Sequence, residues 1–145
     1  MSNDKFIGTW KLISADYRRA NGEVIDMYGV NPTGRIIYDA DGNMAVQIMR
    51  RDRPLFATGD RLSGAPHETQ TAFRGYLGYF GTYTLDADKH TVTHHIEGAW
   101  HPNWVGIDLV RFYEFSGNRL TLRTSPLILA GAEAVGQLVW EKVKE

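Results

Sequence analysis

The chain has 145 residues, 43% hydrophobic and 23% charged, the size and make-up of one globular domain over residues 1–145. Sixteen Lys and Arg against seventeen Asp and Glu leave a formal net charge of −1, so no summed basic field exists to draw in a nucleic acid or an anionic membrane surface. With no cysteine, disulfides, thiolate metal sites, iron–sulfur clusters and cysteine nucleophiles are excluded.

In chain order, residues 1–6 lack the basic end and apolar run of a secretory signal, and no stretch approaches the roughly 18 apolar residues of a spanning helix. The expectation is a cytoplasmic protein that does not enter a membrane. Fifteen glycines and seventeen aromatics, with many β-branched residues spread evenly, predict short strands joined by turns. Residues 9–17 read as the first strand, followed by a polar turn at 19–22 and a short extended piece at 24–27. Strands at 35–39 and 44–50 flank Asp41-Gly42 as a hairpin. Residues 51–64, rich in Arg, Asp and Gly, read as a rim loop. Residues 67–77 break the two-residue rhythm, with Ala72, Phe73, Tyr76 and Leu77 on one helical face, and predict a helix that plugs or covers one end. Hairpins then follow at 79–86 with 91–97 and at 107–115 with 119–124, and 137–143 can close against 9–17. The predicted fold is all-β, an antiparallel meander closed into a barrel of 8–10 strands with one helix inserted, a size whose interior holds one small ligand.

In a barrel alternate residues face the interior, so polar residues that share parity with apolar ones are the functional candidates. Val92 and Ile96 bracket His94, whereas His95 travels with Thr91, Thr93 and Glu97. The same reasoning places Tyr79, Gly81, Tyr83 and Leu85 inside, and Leu109, Arg111, Tyr113 and Phe115 inside. Trp10, Leu12, Leu120, Leu122, Leu138 and Trp140 complete an apolar wall. Gln47 is ambiguous, because both parities of 44–50 carry apolar residues. A buried donor without a partner costs roughly 1–3 kcal/mol and a buried charge more, so His94, Tyr83, Tyr113 and Arg111 need an answer. One answer is a ligand whose carboxylate or enolate oxygen is gripped by Arg111 and oriented by tyrosines. The other is an internal network with water or Glu97. His94 as proton carrier, with Tyr83 or Arg111 at a developing oxyanion, would suit enolisation, dehydration or cyclisation with no cofactor.

A metal site is disfavoured, because His94 and His95 point to opposite sides of a strand and His90 lies about 13 Å from His94 along it. No phosphate-binding glycine loop or nucleophile elbow is present. A haem held by one histidine is a further alternative that no motif favours. Trp100 and Trp104, in Ala99-Trp100-His101-Pro102-Asn103-Trp104, either grip an aromatic guest at the barrel mouth or pack over its end.

Gly8-Thr9-Trp10 resembles the Gly-x-Trp signature of lipocalins. Further blocks resemble the bacterial and fungal lipocalin-like domain proteins: Gly29-Val30-Asn31-Pro32-Thr33-Gly34, Ile36-Ile37-Tyr38 with Gly42-Asn43-Met44, Tyr79-Phe80-Gly81-Thr82-Tyr83, Val92-Thr93-His94-His95 and Pro102-Asn103-Trp104-Val105-Gly106. Arg111 and Leu138-Val139-Trp140-Glu141 follow them, so the likeness runs nearly end to end. The resemblance implies an antiparallel barrel with a ligand cavity and fixes no activity, since such barrels include carriers and cofactor-free enzymes. Secreted lipocalins carry signals and cysteines that this sequence lacks. They also place an arginine over the tryptophan, for which Lys142 is the nearest counterpart and Arg123 the other.

The resulting expectation is a protein that binds a small apolar or aromatic molecule bearing a carbonyl or anionic oxygen. The alternative is a cofactor-independent isomerase, cyclase or dehydratase using His94 with Tyr83 and Arg111. Ligand-contact candidates are Trp10, Gln47, Tyr79 and Tyr113, with Trp100, Trp104 and Trp140. No metal or cofactor is expected, and the aromatic content leaves a homodimer open.

Overall fold

The computed structural model describes residues 2–143. Its strands are β1 (Gly8–Arg18), β2 (Val24–Ile25), β3 (Thr33–Tyr38), β4 (Asn43–Met49), β5 (Tyr76–Asp86), β6 (Thr91–Ala99), β7 (Asp108–Ser116), β8 (Arg119–Thr124), β9 (Leu127–Leu129) and β10 (Ala132–Lys142). A single α-helix among the described residues, α1 (Pro66–Arg74), lies between β4 and β5. Neighbouring strands pair antiparallel in the order β2-β1-β3-β4-β5-β6-β7-β8-β10-β9, and β1 also pairs with β10. That last pairing closes eight strands into a barrel and leaves β2 and β9 as short additions at its rim.

Side-chain alternation explains why the sheet curls shut with these faces inward. Met44, Val46 and Ile48 of β4 are buried while Asn43 and Gln47 are exposed. In β6 the inward set Val92, His94 and Ile96 is buried, and β8 contributes Leu120, Leu122 and Thr124. Between Phe80 and Gly81 the register of β5 against β6 slips by one residue, so Gly81 opposes Ile96 and Phe80 opposes Gly98. A Cβ on Gly81 would run into the His95 carbonyl, so only glycine allows this close approach.

One end of the barrel is filled. The 3-10 turn Ser2–Lys5 delivers Phe6 under the strands, where its ring meets Tyr38, Tyr113 and Phe115 edge-on at 5.2, 4.9 and 5.0 Å. Trp10 seals this floor, its indole N–H donating to the Phe6 carbonyl at 2.9 Å. The Lys142 ammonium lies 4.6 Å from the centre of the Trp10 ring and takes the place over the tryptophan.

Two local departures from the sequence reading have simple causes. The helix ends at Arg74 rather than 77, because Gly75 terminates it and Tyr76 and Leu77 begin β5. Their apolar spacing satisfies a helical face and a strand equally. The hairpin of β9 and β10 turns through Ala130 and Gly131, both with positive φ, and an alanine there gives no turn signal.

Lys142→Met keeps the alkyl stem but removes the charge over Trp10. The expected loss of stability is about 0.5–1 kcal/mol, read from the urea midpoint at unchanged slope.

Candidate functional site

At the opposite end the strands stay apart around a cavity of about 1120 Å³, above the roughly 300–1,000 Å³ usual for small-molecule sites. Besides Tyr17 of β1, its walls carry aromatic rings from three separate segments. Trp100 and Trp104 come from the β6–β7 connection, Phe73 and Tyr76 from the end of α1 and the start of β5, and Tyr28 from the loop after β2. Trp100 meets Trp104 edge-on at 5.2 Å and lies tilted against Phe73 at 6.0 Å. The rim is fastened by charge: Arg50 pairs with Asp52 at 2.8 Å and with Asp26 at 3.2 Å, and the Arg53 guanidinium lies over the Tyr76 ring at 5.2 Å.

Below the wide space lies an inner chamber of about 30 Å³, enough for one water or one ligand atom. Tyr17, Leu77, Arg111 and Thr124 line both spaces and so form the neck between them. Arg111 projects inward from β7, beside Val92 of β6 and Thr124 of β8. Among the described residues no carboxylate lies within 4 Å of its guanidinium. Its charge acts on Tyr79, Tyr38, Tyr17 and His94.

His94 forms part of the chamber wall and is 1% exposed. Its Nε2 is 2.7 Å from the Tyr38 hydroxyl and its Nδ1 is 2.7 Å from the Tyr79 hydroxyl. Burial, and then the positive charge of Arg111, hold its pKa well below the ordinary histidine value, so the imidazole is neutral. Burial raises the tyrosines: Tyr38 well above its usual range, Tyr79 upward, and Tyr17 to about 12. All of these hydroxyls therefore keep their protons.

The structure brings Arg111, His94, Tyr79 and Trp140 together around the inner chamber, and places Trp100 and Trp104 at the mouth. It separates four other candidates from both spaces. Tyr83 faces inward, but its hydroxyl donates to the Asp39 carbonyl at 2.8 Å, near the closed end, so it is no partner for Arg111. Tyr113 is inward too, yet it sits on the floor against Phe6 and stacks on His90 at 5.4 Å. Trp10 is consumed by the same floor. Gln47 points to the outside of β4 and cannot touch a guest. The sequence pattern does not single out Tyr38, Tyr17, Tyr28 and Thr124 as site residues. The parity of Tyr38 with buried Ile36 is the sequence signal that would have found it.

A closed antiparallel barrel, plugged at one end and hollow at the other, is the architecture of small ligand-holding barrels. The chain belongs to the lipocalin-like domain family, whose model matches residues 7–143. It is similar to an Aspergillus oryzae protein named as a 4'-hydroxy-3'-methoxypropiophenone carrier, at 33% identity over 107 residues, 69% of this chain and 96% of that one. A solved lipocalin-like protein from Bacteroides uniformis is similar at a TM-score of 0.49 and 14% identity, covering 96% of this chain and 99% of that one. Among the described residues no helix is long and apolar enough to cross a membrane, and no group of three His, Asp or Glu is placed to hold a metal ion.

Because the folded pKa of His94 is depressed, the unfolded chain takes up that proton first as pH falls through about 6.5. The stability tied to neutral His94 is present above that pH and is lost below it, by up to about 1.4 kcal/mol per pH unit. Urea unfolding between pH 8 and 5 reads this loss, and His94→Gln is expected to lack it.

Proposed function

We propose that the protein binds a small aromatic molecule bearing a carbonyl or anionic oxygen, with the ring in the wide cavity and the oxygen at Arg111. The observation that carries this reading is the position of Arg111 at the neck, facing inward with no carboxylate beside it among the described residues. A cation in that setting is answered by an electron-rich guest atom, which a guanidinium grips with two parallel donors. The aromatic walls above it supply apolar contact, worth roughly 25 cal/mol for each Å² removed from water. The Aspergillus relative adds support, since the compound in its name is an aryl ketone with a phenolic hydroxyl.

Catalysis without a cofactor is the second reading: Arg111 and Tyr79 would steady an oxyanion while His94 moved a proton. We rank it lower because both His94 nitrogens already face tyrosine hydroxyls at 2.7 Å, which leaves neither one open to a substrate.

Titration with 4'-hydroxy-3'-methoxypropiophenone, followed by quenching of Trp100 and Trp104 fluorescence, tests the binding reading. Arg111→Leu is expected to weaken binding by about 2 kcal/mol, roughly 30-fold, while leaving stability about equal, because the half-buried guanidinium has no carboxylate partner to lose among the described residues. Unchanged affinity removes Arg111 from the site. Recovery of the probe unaltered after long incubation is the expected result, and a product whose formation stops in His94→Gln would establish the enzymatic reading instead.

A further inference from the structure

We infer that Tyr38 and His94 fix the direction of a hydrogen-bond chain so that the Tyr79 hydroxyl donates into the inner chamber, making it a seat for an oxygen that accepts hydrogen bonds and carries no proton. This rests on the reading that the guest occupies the cavity above, and it specifies which end of that guest goes down.

The direction follows from counting protons. Tyr38 is 0% exposed and lines neither space, and among the described residues its hydroxyl has one hydrogen-bond partner, His94 Nε2 at 2.7 Å. A neutral imidazole carries a proton on one nitrogen and accepts at the other. Were the proton on Nε2, the Tyr38 O–H would be buried with nothing to accept it, at a cost that native structures avoid. Tyr38 therefore donates to Nε2, and the imidazole proton sits on Nδ1. That proton goes to the Tyr79 oxygen, 2.7 Å away. The Tyr79 O–H must then point elsewhere, and Arg111 beside it has no acceptor to offer. The remaining direction is the chamber that Tyr79 lines.

A second observation points the same way. The ring of Trp140 also lines the chamber, and its indole N–H is buried with no partner among the described residues. Thr124 at the neck already accepts from the Gly136 N–H at 2.9 Å, so its own proton is available to give. The polar groups converging here are donors, and a space of about 30 Å³ admits a single acceptor atom. A ketone carbonyl and an ionised phenol both meet that requirement with every lone pair, whereas an ammonium has nothing to accept with and a neutral hydroxyl, though it can accept, must place its own proton elsewhere. Tyr38 and His94 act as positioning residues, since neither has to touch the guest for the preference to hold.

The first test needs no guest. Heteronuclear NMR of the imidazole nitrogens in the free protein is expected to show the His94 proton on Nδ1, and a proton on Nε2 overturns the inference. In the second, Tyr79→Phe is titrated with 4'-hydroxy-3'-methoxypropiophenone, with its analogue carrying methylene in place of the ketone, and with its analogue lacking the phenolic hydroxyl. Affinity for the parent compound is expected to fall about tenfold. The fall should vanish for one analogue, which identifies the seated oxygen as carbonyl or phenolate. No fall, or an equal fall for all three compounds, overturns the inference. Should Arg111→Leu weaken binding while Tyr79→Phe does not, the cavity reading stands and this one fails. If the native protein binds none of the three, the cavity reading suffers and the tautomer still decides the direction of the chain.

Discussion

Closure of the sheet between β1 and β10 is the constraint on which the rest of the molecule depends. The two strands pair from Trp10 with Lys142 to Arg18 with Val135, and that seam turns a meander with two edges into a ring with none. An eight-strand ring has an interior wide enough for side chains from opposite walls to meet, but not wide enough to hold bulk water throughout. Large rings can therefore fill one end and small or distant ones can leave the other open. Phe6, Trp10, Tyr113 and Phe115 fill the lower end, and the gap opens where Gly75 and the two-tryptophan connection take over from regular strand.

Polar groups sealed into such a ring fall into two kinds. His94 and Tyr38 are satisfied, both imidazole nitrogens and the Tyr38 hydroxyl being hydrogen-bonded, and these bonds offset the cost of taking the two side chains out of water. The indole N–H of Trp140 is buried with no partner among the described residues, and the Arg111 guanidinium donates to the Tyr79 oxygen with no carboxylate beside it. The contrast within a few residues of depth separates polar groups answered inside the barrel from an indole N–H that is not. It also separates His94, whose nitrogens are both occupied, from the solvent-facing His95, which pairs with Asp108 at 2.8 Å on the outer surface.

Strand parity made much of this legible in the sequence. The alternation Val92, His94, Ile96 and the alternation Leu109, Arg111, Tyr113 each put the correct side inward, and Tyr79 followed from its neighbours. Parity fixes the side of the sheet but says nothing of height along the barrel axis. Tyr83 and Tyr113 therefore looked equivalent to Tyr79, although a few ångströms of depth send one hydroxyl to a backbone carbonyl and one ring to the floor. Gln47 was unreadable because Ala45 and Met49 make the outer face of β4 as apolar as many inner ones. Tyr38 was hidden by the run Ile36-Ile37-Tyr38, in which three successive apolar residues mask the rhythm that buries the first and third. The floor packing was half visible: a basic residue had to cover Trp10, and the pairing of Trp10 with Lys142 selects it over Arg123, which faces Glu114.

Glu68 of α1 accepts from the Ala65 and Ala57 amides, each at 2.9 Å, so the helix and the long segment before it form one fastened flap beside the opening. That flap, the loop bearing Tyr28 and the two-tryptophan connection all lie outside the ring of eight strands. The wall of the opening is thereby built largely by segments separate from the strands that enclose the inner chamber. Exchange of these outer segments can alter the bulk and outline of the opening while the eight-strand ring and its inner chamber stay as they are, which makes the scaffold suited to diversification.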